Sequence, residues 1–193
     1  MKGKARKARD AGLVERRTLL DERGVGDALA RMAGEILARQ SDPRALVLVG
    51  VRTGGVPLAQ RLQKLVAART EHAPALGVLD ITLYRDDVFV GLPRPEVGPT
   101  ELPGTLEGQV VVLVDDVLFT GRTTRAALVE LMDYGRPRQV QLAVLVDRGW
   151  RELPIAPDYV GLAVETTREQ TVRVHLRETG APADRVVLLE QGP

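Results

Sequence analysis

One segment, Val110–Ala127, constrains the fold of this chain more than any other. It reads V-V-V-L-V-D-D-V-L-F-T-G-R-T-T-R-A-A: an apolar run, two carboxylates, a turn rich in glycine and hydroxyl groups, and the start of a helix-compatible sequence. The apolar run Val110–Val114 is typical of a parallel strand that is covered on both faces. Because ligands bind at the carboxyl ends of such strands, the segment predicts a binding site in an α/β fold.

The turn after this strand has the composition of a phosphate-binding loop. Gly121 permits a tight turn, and the N–H groups that open the next helix, predicted over Arg125–Asp133, favour an anion. The carboxylates of Asp115 and Asp116 are suited to accept hydrogen bonds from sugar hydroxyls, so the segment predicts a sugar-phosphate site. The chain has no Walker A string, G-x-x-x-x-G-K-[ST], and therefore lacks the phosphate cradle of a P-loop enzyme.

Apolar residues elsewhere alternate between strand and helix patterns. The predicted helices cover Gly24–Arg39, capped by Asp21, and Pro57–Ala68; the predicted strands cover Thr18–Leu20, Ala45–Val51, part of Pro74–Tyr84, Gln139–Val146, Tyr159–Glu165, Thr171–Arg177 and Arg185–Glu190. Strands that alternate with helices indicate right-handed βαβ units and a mostly parallel sheet. We expect one α/β domain over residues 18–193.

Two segments fall outside this regular pattern. Residues 1–17 are predicted to be a basic, flexible arm that either solubilises the chain or contacts an RNA backbone. Its cations are Lys2, Lys4, Arg6, Lys7 and Arg9. Arg85–Gly108 is rich in proline and glycine and has little periodicity, which is typical of a mobile functional loop.

Composition excludes several classes of protein. The 193 residues include 27 Lys plus Arg and 26 Asp plus Glu, so the net charge of +1 argues neither for nor against a polyanionic partner. The absence of cysteine excludes a disulfide scaffold, a thiolate nucleophile and a zinc–cysteine site. No apolar run has the length of a signal peptide or a transmembrane helix, so we expect a cytoplasmic protein without a membrane partner.

The segment Val110–Ala127 resembles the phosphoribosyl-pyrophosphate (PRPP) motif of the type I phosphoribosyltransferases. Two further strings are similar to signatures of one subfamily, PyrR. They are L-D-I-T-L-Y-R-D-D from Leu79 and A-V-L-V-D-R-G from Ala143, the second continuing into R-E-L-P-I from Arg151. PyrR proteins are attenuators of pyrimidine operons and also uracil phosphoribosyltransferases. The resemblance covers the chain from about Leu19 to its C-terminus.

This resemblance implies a fold and a reaction. The fold is that of the type I phosphoribosyltransferases, a mostly parallel sheet flanked by helices, with a small C-terminal β hood and a mobile loop. The reaction converts uracil and PRPP into UMP and pyrophosphate with Mg²⁺ as cofactor. A homodimer or higher homo-oligomer is implied as well, and pyrimidine leader mRNA is a further implied partner.

The resemblance also assigns site residues. Asp115 and Asp116 are expected to act in catalysis by holding the ribose hydroxyls. They are also the expected Mg²⁺ site, with the ion bound either directly or only through ribose hydroxyls or water. Arg85 is the third expected catalytic residue and closes with Arg94 over the pyrophosphate. The ribose phosphate is expected against Val117, Leu118, Phe119, Thr120, Gly121, Arg122, Thr123 and Thr124, and the base against Val146, Asp147 and Arg148. Asp147 is expected to orient the backbone rather than to act as a general base.

A second glycine-rich turn, formed by Arg52, Thr53, Gly54 and Gly55, is expected to face the pyrophosphate. Two phosphate-binding turns in one sheet suit a ligand that carries phosphate at both ends. The family usually has Thr-Arg-Gly here, often with a cis peptide bond, whereas this chain has Thr-Gly-Gly. Because Gly54 carries no guanidinium, we expect Arg52 to substitute for it from a different direction.

The chain departs from the PyrR pattern mainly at basic positions. The family's polar and basic groups on the first helix are replaced by Gly26, Asp27, Ala30 and Gly34. Later positions carry Ala156, Leu162 and, where His is common, Trp150. Phosphate contacts with RNA are therefore expected to be fewer.

Four functions remain open from the sequence. They are a PyrR enzyme that binds RNA, a PyrR-like enzyme without regulation, a non-catalytic RNA regulator and a purine phosphoribosyltransferase. The intact Asp115-Asp116 and Thr120-Gly121 elements disfavour the non-catalytic regulator. The two subfamily strings disfavour the purine enzyme.

Overall fold

The computed structural model of the chain describes residues 12–40, 42–84 and 98–192. Its strands are β1 (Leu13–Leu20), β2 (Leu46–Val51), β3 (Ala75–Leu79), β4 (Val110–Leu118), β5 (Gln139–Asp147), β6 (Tyr159–Ala163), β7 (Thr171–His175) and β8 (Arg185–Gln191). The helices are α1 (Glu22–Ala38), α2 (Gly55–Ala67) and α3 (Arg122–Met132). In these ranges no helix combines the length and the apolar character needed to cross a bilayer.

The main sheet has five strands in the order β3-β2-β4-β5-β6, and every pairing in it is parallel. The predicted mostly parallel α/β sheet is therefore confirmed. The strand that carries the acidic pair, β4, lies at the centre, between β2 and β5. The turns that follow β2, β4 and β5 consequently meet at one edge of the sheet.

Alternate residues of the central strands pack into two separate apolar cores. In β2, Leu46 and Leu48 pack with residues of α1 and α2, whereas Val47 and Val49 pack with residues of α3. β4 divides in the same way between the two cores. Since both faces of the sheet are covered, its strands are continuous apolar runs rather than alternating ones.

A second sheet is antiparallel and has the order β1-β8-β7. It differs from the expected C-terminal hood because the N-terminal strand β1 forms one edge, and because β6 belongs to the main sheet. β1 begins at Leu13, so residues 13–17 of the predicted arm are in fact a strand. Most of its side chains are exposed, and it is held by backbone pairing with β8. The rest of the predicted arm, residues 1–11, lies outside the described residues.

The helices begin close to the turns that precede them. The predicted cap is confirmed at α1, where Asp21 Oδ1 accepts a hydrogen bond of 2.8 Å from the N–H of Gly24. α2 begins at Gly55 rather than Pro57, and α3 begins at Arg122 rather than Arg125. The unpaired N–H groups of their first turns therefore lie directly beside the two glycine-rich turns.

The segment predicted to be a mobile loop is only partly described, and the described part is anchored. The backbones of Val78 and Glu101 exchange hydrogen bonds of 2.7 and 2.8 Å. Leu106 is fully buried in the core beside α3. These contacts tie parts of the described residues 98–108 to β3 and to the core beside α3, and the mobility of the loop stays a prediction. Residues 85–97, which include the candidate site residues Arg85 and Arg94, lie outside the described part of the chain.

Candidate active site

The acidic pair lies inside β4, near its end, rather than beyond it. The strand continues to Leu118, and Asp115 pairs with Val144 of β5. Asp115 is buried, with 8% of its surface exposed, while Asp116 is half-buried. Each carboxylate accepts a hydrogen bond of 2.9 Å through Oδ1 from the N–H of the next residue. One oxygen of each is thus held by the backbone, which fixes the direction of the carboxylate.

The turn between β4 and α3 has the geometry expected of an anion site. Gly121 has a φ of 90°, a left-handed conformation that favours glycine. Its own carbonyl closes the first helical bond, 2.9 Å from the N–H of Arg125. The N–H groups of the three residues between them therefore open the helix. The side chain of Thr124 is buried, and that of Thr123 is half-buried.

The segment after β5 supports this turn. The carbonyl of Thr120 accepts hydrogen bonds from the N–H groups of Glu152 and Leu153, at 3.0 and 3.2 Å. Arg122 Nε lies 2.8 Å from Glu152 Oε2. The R-E-L-P string, recognised only as a subfamily signature, therefore braces the predicted phosphate loop from outside.

The second glycine-rich turn is in direct contact with the acidic pair. The Arg52–Thr53 peptide bond is cis, as the family resemblance implies. The Cα of Gly54 lies so close to Asp116 that an added Cβ would overlap its carboxylate. A Cβ on Gly55 would likewise overlap the carbonyl of Val114. The T-G-G sequence thus lets the turn after β2 lie directly against the end of β4 that carries the acidic pair.

On the base side, Asp147 and Arg148 are both engaged within the protein. Asp147 Oδ1 accepts a hydrogen bond of 2.9 Å from the N–H of Gly149, and Oδ2 lies 2.6 Å from Arg151 Nη2. These contacts agree with the expectation of an orienting carboxylate. Val146 is fully buried in the core shared with α1 and α2.

Arg148 connects the two sides of the site. It is 5% exposed, and its guanidinium carbon lies 3.9 Å from the centroid of the Phe119 ring. Its Nη2 donates to the carbonyl of Thr167 at 3.0 Å. Burial lowers the pKa of Arg148. The sequence placed Arg148 beside the base, but gave no sign that the side chain joins Phe119 to the segment after β6.

Trp150 lies partly exposed on the side of the site where the base is expected. It has a φ of 62°, unusual for a bulky residue, and its indole Nε1 donates to the carbonyl of Thr166 at 2.8 Å. The ring is 46% exposed. Its contact resembles that of Arg148, since both side chains hold the segment that follows β6.

One polar cluster beside the site carries residues to which the sequence had given no role. Asp80 follows β3 and is 4% exposed; Glu130 of α3 is equally buried. Thr100 lies between them: its hydroxyl donates to Glu130 Oε1 at 2.5 Å and accepts from the N–H of Asp80 at 3.1 Å. Buried charged residues inside apolar runs are the only sequence signal that points to such a cluster.

The residues present suit Mg²⁺ held jointly with a ligand. Asp115 and Asp116 supply hard oxygen donors, which this ion prefers. No group of three or more potential metal-ligating side chains occurs in the described ranges. A site of this kind depends on oxygen atoms from the ligand and from water, and Mg²⁺ typically binds phosphate ligands in that way.

Comparison with known proteins agrees with this geometry. The family model of the phosphoribosyl transferase domain matches residues 15–179. The fold is also similar to solved hypoxanthine phosphoribosyltransferases. The Trypanosoma cruzi enzyme is 19% identical, with a TM-score of 0.66 and coverage of 91% of this chain and 92% of that one. The Staphylococcus aureus enzyme is 19% identical, with a TM-score of 0.64 and coverage of 93% and 94%. Fold and site thus define a phosphoribosyltransferase.

Curated relatives show to which family of phosphoribosyltransferases the chain belongs. A protein of Pelotomaculum thermopropionicum named bifunctional protein PyrR is 49% identical over 176 residues, which are 91% of this chain and 97% of the relative. Another of that name, from Chloroflexus aurantiacus, is 53% identical over 162 residues, or 84% and 88% of the two chains. This chain belongs to the PyrR family of phosphoribosyltransferases. The likeness to purine enzymes, at 19% identity, concerns the fold alone.

Proposed function

We propose that this chain is a uracil phosphoribosyltransferase that forms UMP and pyrophosphate from uracil and PRPP. The observation that carries the proposal is the contact of the turn after β2 with the acidic pair, whose own strand leads into the other glycine-rich turn. Gly54 lies against Asp116, and Asp116 lies in the strand that leads into the Gly121 turn. Two such turns in one sheet suit a ligand that carries a phosphate on one side of a ribose and a pyrophosphate on the other.

In this reaction the N1 atom of uracil forms a bond to the anomeric carbon and loses its proton. The bond from that carbon to pyrophosphate breaks, and its electron pair leaves with the pyrophosphate. No covalent intermediate with the protein is needed. The protein accelerates the step by alignment and by stabilising the charge that develops.

Each part of the site has one task in this scheme. The N–H groups at the start of α3 hold the 5′-phosphate, and Asp115 and Asp116 orient the ribose hydroxyls. The turn from Arg52 to Gly55 holds the pyrophosphate. The backbone around Val146 and Arg148 reads the edge of the base. Bound Mg²⁺, held through the acidic pair or the hydroxyls that it orients, would neutralise charge on the pyrophosphate.

The test is a quantitative product assay with uracil and PRPP. We expect UMP and pyrophosphate in equal amounts, formed with Mg²⁺ and lost with a chelator. Restoring Mg²⁺ after chelation should restore the rate, which separates a metal requirement from damage to the protein. Failure to form UMP with Mg²⁺ present would contradict the proposed activity.

Family membership supports regulation of a pyrimidine operon through leader RNA as a second function. The structure bears on it through the exposed side of α1. There Arg23 Nε lies 3.6 Å from Asp27 Oδ2, and Arg31 Nη2 donates to the carbonyls of Val160 and Gly161 at 2.9 and 2.7 Å. Arg31 is thus engaged within the protein, and the charge of Arg23 lies beside the opposite charge of Asp27. We therefore propose an attenuator whose contact with RNA through α1 is reduced.

A homodimer or higher homo-oligomer belongs to the same proposal. It rests on the resemblance to the family. Light scattering of the purified chain at several concentrations measures the assembly state. A monomer at all concentrations would contradict it.

A further inference from the structure

The guanidinium of Arg52 lies beside a buried carboxylate, that of Asp80. Arg52 Nε lies 3.9 Å from Asp80 Oδ2, a distance that allows charge attraction but is too long for a hydrogen bond. Its Nη2 donates to the carbonyl of Pro99 at 3.1 Å. Within the described part of the chain, Nε is buried and has no hydrogen-bond partner. The side chain is thus oriented at one edge, while 32% of it remains exposed.

Asp80 is itself fixed by its neighbours. One oxygen accepts hydrogen bonds from the hydroxyl and the N–H of Thr82, the second at 3.0 Å. The other oxygen accepts from the N–H of Gly98 at 2.7 Å. A carboxylate held at both oxygens keeps one direction, so the attraction that it exerts on Arg52 also has one direction.

Glu130 anchors this arrangement from α3. Its Oε1 accepts a hydrogen bond from the hydroxyl of Thr100. The same hydroxyl accepts a hydrogen bond from the N–H of Asp80. Its Oε2 is buried and has no hydrogen-bond partner among the residues described. Burial raises the pKa of Glu130, against the hydrogen bond from Thr100, which lowers it. Through Thr100, the helix α3 is thereby connected to the backbone of Asp80, whose carboxylate lies beside Arg52.

The turn itself gives Arg52 its importance. Its four residues are R-T-G-G, so Arg52 is the one cation that the turn offers to a departing pyrophosphate. An arginine binds phosphate well only when its planar group is correctly oriented. Arg52 is long and partly exposed, and would lose that orientation without a fixed partner.

We propose that Asp80 is a positioning residue that orients the Arg52 guanidinium toward pyrophosphate, with Thr100 and Glu130 holding Asp80 in place. The proposal rests on the proposed function, because that function places pyrophosphate at the turn from Arg52 to Gly55. Asp80 does not touch the ligand in this scheme. Its effect passes entirely through Arg52.

The experiment uses Asp80→Asn, which removes the charge beside Arg52 and keeps one oxygen that can still accept the hydrogen bonds of Thr82, while the amide NH2 replaces the oxygen that accepts from Gly98. The first readout is calorimetric titration with magnesium pyrophosphate alone, without base or PRPP. We expect the dissociation constant to rise about tenfold, and the KM for PRPP to rise similarly, while the KM for uracil stays within about twofold. If Asp80 had a purely structural role, its substitution would change the KM for uracil together with the KM for PRPP and the dissociation constant of pyrophosphate.

A double-mutant cycle with Arg52→Ala tests the route of the effect. Once Arg52 is removed, Asp80→Asn should weaken pyrophosphate binding no further, because its effect requires the guanidinium. Thr100→Val serves as a milder second variant if Asp80→Asn does not fold. It should weaken pyrophosphate binding about twofold to threefold and leave the KM for uracil unchanged.

The matched control is Asp158→Asn. Asp158 also receives a backbone N–H, that of Leu142 at 2.8 Å, and also lies near an arginine, 3.7 Å from Arg39 Nη1. It lies at the amino end of β6, away from the site, so pyrophosphate binding should be unchanged. Unaltered pyrophosphate affinity in Asp80→Asn, or additive effects in the cycle, would overturn the proposal. Because pyrophosphate is titrated without base, the result is independent of whether uracil is the substrate.

Discussion

At the scale of single residues, Gly54, which stands where the family usually has Arg, lies in direct contact with Asp116. The carboxylate of Asp116 occupies the space that any side chain at position 54 would need. The positive charge near the turn comes from Arg52 instead.

Gly54→Ala tests this contact. Gly54 has a φ of −74°, which alanine adopts without strain, so the only new cost is the overlap with Asp116. We expect kcat/KM for PRPP to fall between about tenfold and a hundredfold, since a misplaced catalytic group is costly. Gly26→Ala is the control: nothing lies near its added Cβ, and it should keep activity while raising the unfolding free energy by about 0.5–1 kcal/mol. Normal kinetics in Gly54→Ala would show that Asp116 adjusts freely.

Removal of either acidic side chain should be more severe. We expect Asp115→Ala and Asp116→Ala each to lower kcat/KM by at least ~10²-fold, or roughly 3 kcal/mol of transition-state stabilisation. Circular dichroism should show a folded chain for both. If steady-state kinetics of both variants resemble the wild type, the acidic pair does not have the role proposed for it.

At the scale of elements, the antiparallel sheet is joined to the α/β core by a compact ion cluster. Arg61 of α2 lies 2.5 Å from Asp184 and 2.6 Å from Glu178. The hydrogen bond from Arg61 is the main reason why the pKa of Asp184 lies below its ordinary value. Asp184 also accepts the N–H of Arg177 at 2.9 Å. One carboxylate therefore links α2 to the segment between β7 and β8.

This cluster predicts a pH-dependent stability. Because the folded-state pKa of Asp184 is lowered, its contribution is present above the unfolded value and is lost as pH falls through the folded value. Asp184→Asn should lower the unfolding free energy by roughly 1–3 kcal/mol at neutral pH and by much less in acid. Asp27→Asn, in an exposed pair, is the control and should change it by under about 0.5 kcal/mol. Equal losses for Asp184→Asn at neutral and acid pH would refute the assignment.

Sequence reasoning succeeded where the signal is local. The apolar runs of β2, β4 and β5 and the turn chemistry around Gly121 were all visible in short windows. It failed where backbone pairing over long distance decides: Glu15, Arg16 and Arg17 are charged yet belong to the strand that pairs with β8, and Glu101 is tied to Val78 by two backbone hydrogen bonds. The cluster of Asp80, Thr100 and Glu130 was equally hidden, because its members come from three separate parts of the chain.

At the scale of the whole molecule, the two proposed functions make different demands on the surface. The proposed catalysis uses the edge of the main sheet where the turns after β2, β4 and β5 meet. RNA binding requires exposed cations and groups that read unpaired bases. Arg23 and Arg31 of α1 are already in contact with protein groups, and Gly26 and Ala30 offer no side chain that reads a base.

We therefore expect weak RNA binding that is sensitive to salt and selects poorly for a pyrimidine leader hairpin. Binding should be compared between the leader and a scrambled hairpin in ~0.15 M salt, with and without UMP. The slope of log affinity against log salt should be about −0.7 for each phosphate contacted on single strands. Tight binding to the leader alone, strengthened by UMP, would show that other residues replace the missing contacts on α1.

The most direct test of the central claim is a competition assay. Uracil, cytosine, hypoxanthine and adenine are mixed at equal concentration with PRPP and Mg²⁺, and the nucleotide products are measured together by mass spectrometry at early times. The acidic pair between two phosphate-binding turns, in a chain of the PyrR family, predicts UMP as the dominant product. A dominant purine nucleotide would contradict the account, because the likeness to hypoxanthine enzymes would then extend from fold to substrate.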